Sequence, residues 1–196
     1  MSKQSLPVYF SNEYSARGAG SVFYSVAAGR QRTLAGRRDG KLFLFDRAAR
    51  RPWVRWQVCT SPIWSVALSP DEQRALVGTE LGKLRLLSLP SGEVLKDFPD
   101  HGDCVTGVAF AGAGLLVSAS QDGTVRLWRP DGELLLTLAA PGPVRKISVV
   151  PGGSQLALVV EGERAVRLWH LDRLAVELAD LGLPLNLPRR QPRSGQ

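Results

Sequence analysis

Three side chains of the types that serine hydrolases use for catalysis lie close together in the sequence. His101 stands in "DHGDCVTGVAF", and Ser118 and Asp122 stand in "SASQDGTVRLW", so all three fall within twenty-two residues. In a hydrolase the serine would attack a carbonyl carbon, the histidine would take up its proton and the aspartate would orient the imidazole. No "GxSxG" pattern surrounds Ser118, and the apolar residues around it predict a strand rather than a strand-to-helix elbow. Whether these residues are catalytic therefore depends on the strands and turns that position them.

The composition is that of a soluble globular protein. The chain has 196 residues, of which 44% are hydrophobic and 22% charged. It contains no apolar run of about 18 residues, so we expect no membrane span. The start, "MSKQSLPVYF", lacks the apolar region of a signal peptide, and we expect a cytoplasmic protein. Cys59 and Cys104 have neither metal-ligand nor redox spacing, so no metal and no cofactor are predicted.

The positive charge is concentrated in the first third of the chain. The net charge is +7, and residues 1–60 carry eleven Lys or Arg against three acidic residues, which gives +8 for this part alone. Residues 61–100 and 101–180 each sum to −2, and residues 181–196 add +3. A concentrated positive field attracts anionic partners, so a basic surface is expected on the first third.

Short apolar segments recur along the chain with a period of about forty residues. "KLFLFD", "KLRLLS", "TVRLWR" and "AVRLWH" start at residues 41, 83, 124 and 165. Two further series precede them, and another follows in each unit, with Gly, Asp, Pro or Ser between the segments. Segments of this length and composition predict strands, and "DG" at 39–40 and 122–123 predicts tight hairpins. Each repeat is therefore predicted to hold four strands.

The last segment of the fourth unit fits two secondary structures. "RLAVELADL", within "LDRLAVELADLG" from Leu171, is a short segment rich in Leu and Val that suits a fourth strand, which is the interpretation we favour. The same residues also suit an amphipathic helix that stops at Gly182.

The repeat resembles the WD40 family of β-propellers. The third unit, "HGDCVTGVAFAGAGLLVSASQDGTVRLW", carries the family pattern throughout, and the resemblance covers about residues 20–181. It implies an all-β fold: a propeller array of about four WD40-like, four-stranded blades. The predicted organisation is an N-terminal segment 1–19, blades at 20–60, 61–100, 101–142 and 143–182, and a disordered tail 183–196.

The resemblance also implies a structural role for the three candidate catalytic residues. In the family, the matching positions form a hydrogen-bonded tetrad inside a blade, here His101, Ser118, Asp122 and Trp128. Such a buried network stabilises a fold only when each member is satisfied. The other units depart from the pattern, with Ala19, Cys59 and Ala140 at the histidine position, Asp39, Leu81 and Glu163 at the aspartate position, and Phe45, Leu87 and Trp169 at the tryptophan position.

Four units do not determine how the propeller closes. Each unit buries its faces against its neighbours, so the two end faces need a partner. A second copy could complete a ring of eight, the chain could be part of a longer protein, or the four units could form an open or compact array. "LPVYF" at 6–10 is a candidate extra strand. We prefer self-association or a missing remainder to an isolated four-blade ring.

The function predicted from the resemblance is a non-catalytic scaffold that binds proteins or peptides through blade rims and edges, and not an enzyme. One alternative is a nucleic-acid or ribonucleoprotein-associated factor that uses the basic first blade. Another is a regulatory fragment of a larger signalling protein. The candidate binding surface combines basic and aromatic residues of the first unit, which can stack on bases or anchor a peptide; it comprises Arg37, Arg38, Arg50, Arg51, Trp53 and Trp56.

Overall fold

The computed structural model of the chain describes residues 22–46, 53–150 and 153–180, and almost all of its regular structure is antiparallel β-sheet. The strands of the first unit are β1 (Phe23–Ala28), β2 (Arg32–Arg37), β3 (Lys41–Asp46) and β4 (Trp53–Gln57). Those of the second unit are β5 (Ile63–Leu68), β6 (Arg74–Thr79), β7 (Leu84–Ser88) and β8 (Val94–Asp97).

The third and fourth units follow the same plan. The strands of the third unit are β9 (Val105–Phe110), β10 (Leu116–Ser120), β11 (Thr124–Trp128) and β12 (Leu134–Ala139), with a short 3-10 helix at Gly112–Gly114. Those of the fourth unit are β13 (Val144–Val149), β14 (Gln155–Val160) and β15 (Val166–His170), followed by the helix α1 (Leu171–Asp180). Within each sheet the strands pair in chain order.

The hairpin between the second and third strands of a unit depends on glycine. Gly82 and Gly123 have φ angles of +76° and +79°, a conformation that residues with a Cβ rarely adopt. A Cβ atom at Gly82 would also lie 2.4 Å from the carbonyl oxygen of His101 in the following segment. Glycine therefore lets the hairpin of one unit approach the chain that enters the next.

The apolar cores lie between consecutive sheets. Side chains alternate across a strand, so in the second and third units one face of the sheet contacts the preceding unit and the other face contacts the following one. In β6, for example, Val77 belongs to the core shared with the first unit and Leu76 to the core shared with the third. A third core joins the third and fourth units. This arrangement of four sheets confirms the predicted all-β propeller array.

The fourth unit corrects one sequence prediction, because its last segment is a helix and not a fourth strand. Leu171 is buried and Leu174 half-buried, and both pack on the core shared by the third and fourth units. Their spacing of three residues places them on one helical face. The segment is rich in Leu, Ala, Glu and Arg, which are good helix formers, so packing and propensity agree.

Two predictions concern segments that the structure does not describe. The candidate strand "LPVYF" at 6–10 and the tail 183–196 both lie outside the described residues.

Candidate functional site

His101, Ser118, Asp122 and Trp128 form a chain of hydrogen bonds in the third unit. The Trp128 Nε1 to Ser118 Oγ distance is 2.8 Å, Ser118 Oγ lies 2.7 Å from His101 Nε2, and His101 Nδ1 lies 3.0 Å from Asp122 Oδ2. An indole N–H can only donate, and an ionised carboxylate can only accept. The bonds therefore run in one direction, from Trp128 through Ser118 and His101 to Asp122, with a neutral imidazole protonated at Nδ1.

The third unit positions these four residues through one hairpin and one incoming loop. Ser118 lies in the middle of β10, Trp128 ends β11, and Asp122 occupies the turn between the two strands. His101 precedes β9, and its amide donates to the carbonyl of Gly82 in the second unit, at 3.1 Å. The hydrogen-bonded chain thus ties the third sheet to the segment that enters it from the second.

Asp122 is held as a carboxylate by its donors. Burial alone would raise its pKa, but bonds from the Thr124 hydroxyl and from the amides of Gly102 and Thr124, together with His101, outweigh burial and lower the pKa to about 2. The Thr124 hydroxyl and amide lie 2.7 and 2.8 Å from Oδ1, and the Gly102 amide lies 2.9 Å from Oδ2. For His101, burial lowers the pKa more than the Asp122 carboxylate raises it. The neutral imidazole is therefore the stable form in the folded chain.

The spacing of the three polar groups is that of a hydrolase triad, but their surroundings are closed. Ser118 and Trp128 are 0% exposed and His101 is 4% exposed. Ser118 Oγ already accepts the indole N–H, and Ser118 lines neither of the two clefts described for the chain. With Ser118 0% exposed, its oxygen is not open to a substrate carbonyl in this structure.

The backbone position of His101 recurs in the second and fourth units, where other side chains occupy it. The amides of Cys59 and Ala140 donate to the carbonyls of Gly40 and Gly123, as that of His101 does to Gly82. At the serine position, the register places Val77 in the second unit and Leu158 in the fourth. Within the described residues the complete tetrad belongs to the third unit.

A second candidate site, which the sequence analysis missed, lies on the concave side of the array. The first strands of all four units line a cleft of about 750 Å³. The second residue of each of these strands contributes to the lining: Tyr24, Trp64, Thr106 and Arg145. The rings of Tyr24 and Trp64 stack with centroids 4.7 Å apart and an interplanar angle of 15°, and both residues are 37% exposed. Their common position in the repeat was the signal available in the sequence.

The comparison with protein families matches the part of the chain that holds the tetrad. The WD40 model, described as "WD domain, G-beta repeat", matches residues 92–129. Human WD repeat and SOCS box-containing protein 1 is 31% identical over 108 residues, which are 53% of this chain and 25% of that protein. Both findings support the WD40-repeat family for this chain.

Other relatives are larger proteins that are matched over part of their length. The chicken U3 small nucleolar RNA-associated protein 15 homolog is 27% identical over 141 residues, covering 70% of this chain and 27% of that protein. The Schizosaccharomyces pombe U3 small nucleolar RNA-associated protein 21 homolog is 26% identical over 107 residues, covering 50% and 12%. The chain thus spans about a quarter or less of the length of these relatives.

A solved structure has the same fold. The crystal structure of the computationally designed Ika4 protein superimposes with a TM-score of 0.66 and covers 78% of this chain and 93% of that one, at 18% identity. At this identity the likeness concerns the fold alone.

The structure places the described basic and aromatic residues that were singled out in the first unit in different surroundings. Arg38 is exposed, whereas Arg37 pairs with Asp39 and lies over the Phe43 ring. Trp56 is half-buried and packs on Gly92 and the core of the first two units. Arg50 and Arg51 lie outside the described residues, and of Trp53 only the backbone in β4 is described.

The described residues contain neither a metal-binding cluster nor a membrane-spanning helix. No group of three or more His, Cys, Asp or Glu side chains there could hold a metal ion. Likewise, no helix within the described ranges is long and apolar enough to cross a membrane.

Proposed function

We propose that this WD40-repeat chain is a non-catalytic scaffold that binds a segment of a partner protein in its concave cleft. WD40 repeats are typical of protein-interaction scaffolds, which supports the general role. The observation that carries the proposal is the stacked pair Tyr24 and Trp64, which leaves two aromatic rings exposed on a concave surface. Exposed aromatic residues at the centre of a concave surface are the residues on which binding energy concentrates.

The cleft combines apolar and cationic groups. Phe23 and Val26 add apolar surface beside the stacked rings, and Arg145 and Lys146 stand at the other end. Arg145 pairs with Glu161, so the positive charge of Lys146 dominates that end. The partner segment expected to fit is an extended peptide with an aromatic or aliphatic side chain next to an acidic one.

The tetrad has a separate role under this proposal. It holds the third unit in register and supplies no catalytic group, which is consistent with the complete burial of Ser118. The rigid third unit then fixes one wall of the cleft, since Thr106 of β9 belongs to the same sheet.

The test is a selection of peptides from a random display library on the purified chain. Selected peptides are expected to bind Trp64→Ala at least about 10-fold more weakly than the original chain, because a central aromatic side chain contributes about 2 kcal/mol or more. Leu95→Ala, which changes an exposed apolar residue on the outer strand β8, is the matched control and should bind as before. Peptides that bind both variants equally well would contradict the cleft as the binding site.

Nucleic acid is a second candidate ligand because two of the relatives carry U3 small nucleolar RNA-associated names and residues 1–60 carry a charge of +8. If RNA binds this region, retention on an RNA or heparin column should fall with salt and should be lost when Arg37, Arg38, Arg50 and Arg51 are replaced by Ser. Retention that survives these replacements would remove this candidate.

A further inference from the structure

The fourth unit exposes an apolar face at positions that the other units bury. In each of the first three units, two residues of the third strand point to the following unit and are at most 2% exposed: Leu42 and Leu44, Leu84 and Leu86, and Val125 and Leu127. The strand register makes Val166 and Leu168 their equivalents in the fourth unit. These two are 61% and 59% exposed, and Val159 beside them is 43% exposed.

The first unit exposes the complementary half of the same contact. The first residues of the inner strands β5, β9 and β13, namely Ile63, Val105 and Val144, are 0% exposed. Ile63 packs toward Gly36 of the preceding unit, and Val105 packs toward Gly78. Phe23 occupies this position in β1 and is 44% exposed, although its ring is held in a T-shaped contact with Phe43.

Val26 is a second exposed residue of the first unit at a position that the second and third units bury. Val26 pairs with Ala35 in the register in which Val66 pairs with Val77 and Val108 with Ser118. Val66 and Val108 are 8% and 9% exposed, whereas Val26 is 68% exposed. The face that contacts a preceding unit is thus intact in the first unit, but none of the described residues covers it.

We propose that two copies of this chain join through these faces, the first unit of each copy packing on the fourth unit of the other. Each chain carries both halves of the contact, so a two-fold axis pairs them twice and leaves neither half exposed. The result is a closed ring of eight units, four from each copy. Unlike the cleft proposal, this inference concerns assembly. It rests on Val166 and Leu168 of the fourth unit, and it shares Phe23 and Val26 with the edge of the cleft.

The contacts inside the chain support a second copy as the occupant, because the proposed interface continues their pattern. Three consecutive interfaces already bury the same register positions, and the open faces keep apolar residues at those positions. Polar contacts also repeat along the array. Ser65 of β5 donates to the carbonyl of Val105 in the next unit at 2.8 Å. Thr106 of β9 donates likewise to the carbonyl of Val144 in the fourth unit at 2.6 Å.

The mass of the particle is the first test, measured by light scattering on the full chain over a series of concentrations. The original chain is expected to have twice the mass of one chain, and Leu168→Asp is expected to have the mass of one. Leu95→Asp, at a comparably exposed residue on an outer strand, should keep the double mass. A single-chain mass for the original chain at micromolar concentration would overturn the proposal, and so would an open series of larger particles.

Cysteine cross-linking tests which faces meet and does not depend on the aspartate variant folding. In a Cys59→Ser background, Phe23→Cys mixed with Val159→Cys should form disulfide-linked pairs under mild oxidation, because the equivalent residues Val105 and Gly78 touch inside the chain. Either variant alone should stay uncross-linked, since the two-fold axis brings unlike faces together. Cross-links between identical variants, or none in the mixture, would contradict this arrangement.

The two proposals fail separately. Trp64→Ala should leave the double mass unchanged while it weakens peptide binding. If Leu168→Asp loses the double mass but the selected peptides still depend on Trp64, the cleft proposal stands.

Discussion

The third and fourth units are built on the same strand register but are stabilised differently. At one equivalent position the third unit has Ser118 and the fourth has Leu158, and both are fully buried. Ser118 joins a directed chain of hydrogen bonds, whereas Leu158 contributes only apolar packing. The third unit is also covered on both faces, while the fourth leaves Val166 and Leu168 exposed.

This difference shows what a buried polar network adds to a repeated sheet. Apolar packing alone can hold the position, as Leu158 demonstrates, so the network is not required for burial. It instead gives each member defined partners and a fixed bond direction, which specifies the strand register. The same network makes the third unit more sensitive to single changes, since removing one member leaves others without partners.

The largest loss of stability is expected for Trp128, compared with Trp169 at the equivalent position of the fourth unit. Trp128 is 0% exposed, and its ring lies edge-on to that of Phe98 with the ring centroids 5.4 Å apart. Trp128→Ala should therefore lower the free energy of unfolding by about 3–5 kcal/mol. Trp169→Ala, at a half-buried side chain, should cost about 1–2 kcal/mol. Urea unfolding of both variants measures the difference. Equal losses would mean that the two units are stabilised alike.

Ser118→Ala isolates the hydrogen bonds from the packing. The substitution removes one small group and leaves Trp128 Nε1 and His101 Nε2 without their partner, so we expect a loss of about 1–3 kcal/mol. Ser148→Ala, at an exposed residue of β13, is the control and should change stability by less than about 0.5 kcal/mol. A Ser118→Ala chain as stable as the control would show that the network contributes nothing.

The network should also make stability depend on pH. Burial lowers the pKa of His101 in the folded chain, so the unfolded chain binds the extra proton and stability falls as the pH drops through about 6.5, the ordinary histidine value. The pKa of Asp122 is lowered to about 2, so a further loss follows as the pH falls from about 4 toward 2. His101→Gln should remove the first loss. Unfolding curves of both chains at pH 7 and pH 5 measure it, and parallel behaviour would refute the assignment.

The smallest effect is expected at Cys59, which occupies the histidine position of the second unit. Its thiol is half-buried and lies 3.1 Å from the carbonyl oxygen of Ser61, a contact that a serine hydroxyl can also make. Cys59→Ser should therefore change the free energy of unfolding by less than about 0.5 kcal/mol. A loss comparable to that of Ser118→Ala would mean that this position supports a network of its own.

Much of the fold could be predicted from the sequence because its signals are local. The repeat period, the alternation of apolar residues and the glycine hairpins fix strands and turns within each unit, and the resemblance supplied His101, Ser118, Asp122 and Trp128 as partners. The cleft residues Tyr24 and Trp64 were missed because they lie forty residues apart and meet only when two units stack. The basic residues of the first unit were grouped by charge alone, yet Arg37 forms an ion pair with a neighbouring aspartate.

The sequence by itself determined that this chain folds into four similar sheets with a polar network in the third, since hairpins and strand alternation depend on near neighbours. Only the tertiary structure decided that Leu171–Asp180 is a helix. The sequence of this segment suits both a strand and a helix, and packing on the core of the third and fourth units selects the helix. The tertiary structure alone also revealed the uncovered faces of the first and fourth units. Whether an apolar position is buried depends on the sheet beside it, and the end units of an open array each lack one neighbour.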